Sequence, residues 1–145
     1  MIKKIALSVF TAVLMWNCSI APKEIAYGSE ACHYCRMTVV DQQHASQLVT
    51  KTGKAFSFDA VECLVNYLSD HPGIEAEGLV LVNSLDQPGV LTDAKSASYL
   101  ISPNLPSPMG ANLTAFTSEE SATKALDTYS GILYSWESLL TELNR

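Results

Sequence analysis

The chain is predicted to adopt an α+β fold built from two small strand–strand–helix–strand (ββαβ) units in tandem. Three observations carry that expectation. Short runs rich in β-branched, aromatic and apolar residues come in pairs, at 47–50 with 55–58 and at 98–101 with 112–116. Each pair leads into a stretch whose apolar residues recur at helical spacing, and a further apolar run follows each helix. The junctions also correspond, with Phe58-Asp59 before the first helix and Phe116-Thr117-Ser118 before the second. With 145 residues in all, neither unit is large enough to stabilise itself well, so the two should share or abut cores.

In chain order, Thr38-Val39-Val40 reads as a short strand because β-branched side chains suit a pleated surface. Gln47 to Thr50 and Ala55 to Phe58 follow, joined by a Thr52-Gly53-Lys54 turn. Asp59 stands in N-cap position with Glu62 three residues on, the spacing of a capping box. Ala60, Val61, Leu64, Tyr67 and Leu68 form the apolar face of that helix, and His71-Pro72-Gly73 stops it. Leu79 to Val82 is a strand of the fully buried kind. In the second half, Ser98 to Ile101 and Asn112 to Phe116 are strands around a loop holding Pro103, Pro106 and Pro108. Ser118 caps a helix whose apolar face is Ala122, Ala125, Leu126 and Tyr129, and Gly131 ends it. Ile132 to Trp136 is a strand and Glu137 to Leu143 a terminal helix.

The first residues belong to targeting. Lys3 and Lys4 precede an apolar run of twelve residues, Ile5 to Trp16, too short for a membrane span and right for a secretory signal. Cys18 directly follows, as in a bacterial lipoprotein signal, although Trp16 and Asn17 depart from the small residues usual before such a cysteine. The expected division is therefore a signal at 1–17, an acylated Cys18 opening a tether at 18–31, a first unit at 32–90 and a second at 91–145. Ordinary cleavage nearby, leaving Cys18 a plain thiol, is the simpler alternative. The expected location is the cell envelope, anchored by lipid and facing the periplasm. Residues 1–17 hold two lysines and no acid, so the 9 basic and 15 acidic residues of the whole chain become 7 and 15, a net charge of −8. With no basic cluster beyond Lys3-Lys4, a nucleic-acid partner is not expected, and attachment to membrane would depend on acyl chains.

Chemistry concentrates in Cys32-His33-Tyr34-Cys35-Arg36-Met37, where two thiols, an imidazole and a thioether lie within six residues. Soft sulfur donors select Cu(I), and imidazole also suits zinc and Cu(II). A structural zinc site would need a second Cys/His pair at ligand spacing, which the sequence lacks. A thioredoxin-like C-x-x-C opens a helix, whereas this one leads into Thr38-Val39-Val40. Spacing alone leaves a metal site and a Cys32–Cys35 disulfide equally open. Cys63 falls among apolar helix positions and reads as a small core residue, yet three cysteines beyond Cys18 is an odd number, which flags a reactive thiol. His44 and His71 fit no pattern and read as surface residues. Without a Gly-rich phosphate loop, a G-x-S-x-G or a recognisable acid pair, no enzyme is expected.

The Cys32–Met37 segment resembles the C-x-x-C-G-M motif of the NosL family, copper-binding lipoproteins associated with assembly of nitrous-oxide reductase. Phe56-Ser57-Phe58-Asp59, Ser107-Pro108-Met109-Gly110 and Ala115-Phe116-Thr117 match further segments, so the likeness runs from about Cys32 to Trp136. Arg36 stands where the family usually has glycine. The resemblance implies a metallochaperone holding Cu(I) through Cys35 and Met37, with Cys32 and Met109 as further candidates and His33 a lesser one. It also implies nitrous-oxide reductase, or its membrane assembly complex, as recipient. The alternative from a different class is a thiol–disulfide oxidoreductase using Cys32 and Cys35.

Overall fold

A computed structural model describes residues 20–145 apart from Glu77. The expected signal segment and Cys18 lie outside the described residues. Among the described residues, seven strands and three helices follow one another as β1 (Ser46–Val49), β2 (Ala55–Phe58), α1 (Val61–Asp70), β3 (Leu79–Val82), β4 (Thr92–Asp93), β5 (Ser98–Ile101), β6 (Leu113–Phe116), α2 (Glu119–Tyr129), β7 (Ile132–Tyr134) and α3 (Trp136–Leu143). The first sheet has the order β2-β1-β3-β4 and the second β6-β5-β7, with every pairing antiparallel. Both units therefore place their first strand at the centre, turn back into a neighbour, cross over by a helix and return on the other side. This is the expected α+β pair of ββαβ units.

The same local device serves both returns. A Cβ on Gly78, just before β3, would lie 2.3 Å from the carbonyl oxygen of Val49 at the end of β1. A Cβ on Gly131, just before β7, would lie 2.3 Å from the carbonyl oxygen of Ile101 at the end of β5. Only glycine lets the returning chain press this close to the central strand.

Strand alternation divides the apolar residues between two clusters. Leu48, Phe58, Val80 and Val82 of the first sheet join Tyr99, Leu113 and Ala115 of the second, with Val61, Leu64, Val65 and Leu68 of α1 and Trp136 and Leu139 of α3, in one shared core. Leu100 and Phe116 point to the opposite face, where Ala122 and Ala125 of α2 cover them. The second sheet is thus covered on both faces, by α2 on one and by the common core on the other.

Four expectations need correction. Thr38-Val39-Val40 is not a strand: Thr38 forms only an isolated bridge to Ala31, and Val39 is buried as a plug while its N–H reaches the Glu30 carbonyl at 2.8 Å. Asp59 does not cap α1. The helix starts one residue later, its N-cap is Ala60 without a side-chain bond, and Glu62 is not in a capping box. His44 is 5% exposed, not a surface residue. The supposed tether is fastened from Lys23 on: the buried Gln47 amide accepts from the Lys23 N–H at 2.8 Å and donates to its carbonyl at 2.9 Å, and Ile25 enters the shared core. The two-residue β4 and the capping box of Ser135 with Ser138 at α3 were not anticipated.

Candidate metal centre

The cysteine segment is a closed loop. Its neck is the Ala31–Thr38 bridge, and within it the Cys32 N–H donates to the Met37 carbonyl at 2.7 Å and the Arg36 N–H to the Cys32 carbonyl at 3.1 Å. Closing so tight a loop puts Arg36 at φ 68, in the left-handed region that glycine adopts freely and other residues only at a cost of about 1 kcal/mol. The His33 N–H donates to the Ser57 carbonyl at 2.9 Å, which docks the loop on edge strand β2.

Docking brings Cys32 and Cys35 to Cys63 in the first turn of α1. Their sulfurs all lie within 4.8 Å of one another. A thiolate–metal bond is about 2.3 Å, so sulfurs sharing one ion lie within about 4.6 Å. The three thiols thus stand close to ligating separation before any ion is present, and none is in a disulfide. Cys32 and Cys63 are fully buried and Cys35 is partly exposed.

The three sulfurs are not equivalent. Cys32 is the hydrogen-bond acceptor of the group. The Cys63 thiol, aided by the N–H groups of Asp59, Cys35 and Tyr34, outweighs burial and holds it far below the ordinary thiol value, at about 4. Cys63 is pushed up by its bond to Cys32 and by burial, so it keeps its proton. Burial also pushes Cys35 up, against the Met37 N–H that bonds its sulfur. The cluster therefore resembles one thiolate solvated by thiol and amide protons, a ground state that a soft cation can enter by displacing protons.

Asp59, released from capping, lends its N–H to Cys32 while its carboxylate accepts from the Val40 N–H. Burial first, and the neighbouring Cys32 charge second, push its carboxyl up, and its Oδ1 has no hydrogen-bond partner. Beside the thiols lies an aromatic cluster. The His33 ring is 4.3 Å from Phe56 and 5.4 Å from Tyr67, which stacks at 4.2 Å on His71. Burial, then the charges of Arg36 and Lys54, push the His33 pKa down, so it is a neutral ring.

The Ser107-Pro108-Met109-Gly110 segment is tied to the same helix turn. Glu62, next to Cys63, accepts a short hydrogen bond from the Ser107 hydroxyl, which in turn accepts from the Leu113 N–H at 3.2 Å. Burial raises the Glu62 carboxyl. Met109 is 38% exposed and Met37 57% exposed, so both candidate thioethers stand at the surface.

Of the residues singled out from sequence, Cys32 and Cys35 are brought together. Cys63, read there as core, is both core and the third sulfur. The odd thiol count was the sequence signal for it.

Fold and site define a small α+β protein that gathers three thiols on a docked loop and a helix start, an arrangement able to hold a metal ion. The model of the NosL family matches residues 23–143, and the chain belongs to that family. A solved structure with the same fold is the copper chaperone NosL from Shewanella denitrificans, with TM-score 0.64 and 22% identity, the match covering 80% of this chain and 96% of that one. No curated protein sequence matches the chain significantly.

Proposed function

We propose that the protein is an envelope metallochaperone that carries Cu(I) on the sulfurs of Cys32, Cys35 and Cys63. The observation that carries this reading is the convergence of three sulfurs within 4.8 Å on two rigid elements. Soft thiolates favour Cu(I), and three donors leave the ion open to attack by an incoming ligand. Met37 and Met109, both exposed, are the thioethers that receive or release the ion, and the Met37 backbone N–H donates to the Cys35 sulfur. Cys18 is acylated and fixes the protein to the membrane facing the periplasm. The recipient is nitrous-oxide reductase or its membrane assembly complex. Family membership and the copper chaperone of like fold support copper as the cargo.

The test is anaerobic titration of the reduced full-length chain with Cu(I) against a chromophoric chelator. One ion per chain is expected. Met37→Ala should weaken retention with circular dichroism unchanged, since an exposed thioether contributes little burial. Wild-type affinity in Met37→Ala and Cys35→Ser together would place the metal elsewhere. Cys35 and Cys63 are raised and hold protons at neutral pH, so binding releases protons and affinity should fall as pH drops. A pH-independent affinity would contradict thiolate ligation.

A further inference from the structure

The three thiols differ in reach as well as in charge. Cys32 and Cys63 are fully buried, and Cys35 alone is partly exposed. A reagent from solvent therefore meets Cys35 first, while both other sulfurs wait within 4.8 Å of it. Of these two, Cys32 shares with Cys35 the turn that the Arg36 N–H closes on the Cys32 carbonyl at 3.1 Å. Cys63 stands on the separate helix α1, so a bond to it would have to tie loop to helix, whereas a Cys32–Cys35 bond closes a turn that is already formed.

We propose that Cys35 is a disulfide-exchange site whose reaction with a small-molecule disulfide closes the metal centre, with Cys32 as resolving cysteine and Cys63 left reduced. Cys35 sulfur attacks the small disulfide, forms a mixed disulfide and expels one thiol. Cys32 sulfur then attacks Cys35 Sγ, forms the Cys32–Cys35 bond and expels the second. The small disulfide takes two electrons from the cysteine pair and two protons from the thiol cluster and solvent, and leaves as two thiols. Two of the three thiol donors are then consumed, and the remaining Cys63 has no second thiol to share an ion with. Bound metal would occupy the same sulfurs, so loaded protein is protected and only the empty carrier is switched off. This inference rests on the metal-carrying reading for its consequence, but its chemistry can be read without metal.

The experiment treats the reduced, metal-free full-length chain anaerobically with oxidised glutathione, followed by alkylation in denaturant and peptide mapping. The expected product links Cys32 to Cys35, with Cys63 alkylated. Cys32→Ser should stop at a glutathione adduct on Cys35, and Cys35→Ser should react more than tenfold more slowly, because only buried thiols remain. Circular dichroism of both variants checks that they are folded, and iodoacetamide labelling of native wild type should fall first on Cys35. Cu(I) uptake by the oxidised chain should drop at least tenfold and return with dithiothreitol. A disulfide that includes Cys63, labelling of Cys32 or Cys63 before Cys35, or an oxidised chain that binds Cu(I) as well as the reduced one, would each overturn the proposal. Should the reduced chain fail to bind Cu(I), the chaperone reading falls, while the disulfide map still decides the order of exchange.

Discussion

The two ββαβ units share strand order and the glycine that precedes the third strand, yet they start their helices differently. In the second unit Ser118 caps α2 by accepting from the Ser121 N–H at 3.1 Å. In the first, the corresponding junction has no side-chain cap, and the residue best suited to supply one, Asp59, is buried, with its carboxylate on the Val40 N–H and its own N–H on the Cys32 sulfur. The third helical residue in the second unit is Ser121, part of the cap, and in the first it is Cys63, part of the sulfur cluster. The difference teaches that the site occupies the place of a helix cap. An uncapped helix start forgoes about 1 kcal/mol, and the shared core, which takes in α1 on two sides, offsets it.

The comparison can be broken most forcefully in the cores. Leu48 on β1 and Leu100 on β5 sit on the two central strands and are both fully buried, but Leu48 belongs to the large shared cluster and Leu100 to the small one beneath α2. Leu48→Ala should cost about 4 kcal/mol and Leu100→Ala about 2–3 kcal/mol in denaturant unfolding, because a peripheral cluster collapses more easily around a cavity. Equal losses would mean that the two clusters are one.

A second comparison pits Cys63 against Ser121. Cys63→Ser should lower Cu(I) affinity by more than about 100-fold, since removing a ligand costs more than disturbing the residues that orient one, whereas Ser121→Ala should leave it unchanged. Competition with a chelator reads both. Ser118→Ala, by contrast, should cost about 1 kcal/mol of stability and nothing in metal affinity, and Asp59→Asn should show the reverse pattern. If Asp59→Asn proves the more destabilising of the two with copper binding intact, Asp59 is structural after all.

The smallest effect concerns Glu62. Burial holds its folded-state pKa above the unfolded value, so its contribution is present below the ordinary carboxyl range and is lost as pH rises through the folded value. Glu62→Gln keeps an acceptor for Ser107 and should flatten that decline. Melting temperatures of both proteins across mildly acidic and neutral pH would show it, and parallel curves would remove Glu62 as the cause.

Most of the scaffold was legible in the sequence because local signals agreed with the fold. Ala55–Phe58, Leu79–Val82 and Ser98–Ile101 have the expected bounds, as alternation and turn residues leave little choice there. The errors fall where long-range contacts overrule local preference. Val39 looks like strand and is a buried plug, because the loop neck takes the backbone partners that a sheet would have used. Asp59 looks like a cap and is not, since its carboxylate accepts from the Val40 N–H, 19 positions earlier, instead of from the helix start. His44 looks solvated, yet its ring lies between Asp41 at 2.8 Å and Thr114 at 3.1 Å, a partner 70 residues away. Cys63 could be read as an apolar helix residue and still be a ligand candidate, because burial and sulfur chemistry use the same side chain.

The partners of His44 and Glu62 also set an order of assembly. Thr114 and Ser107 both come from the second half of the chain, while His44 and Glu62, the latter next to Cys63, belong to the first. A fragment ending before residue 91 would carry two buried polar side chains stripped of these partners, each costing about 1–3 kcal/mol, along with an uncovered α1. The thiol-bearing half leaves the ribosome first, yet its surroundings close only when the last third of the chain arrives. Until then the three cysteines form an unfinished site, and the C-terminal half acts as the keystone that closes it.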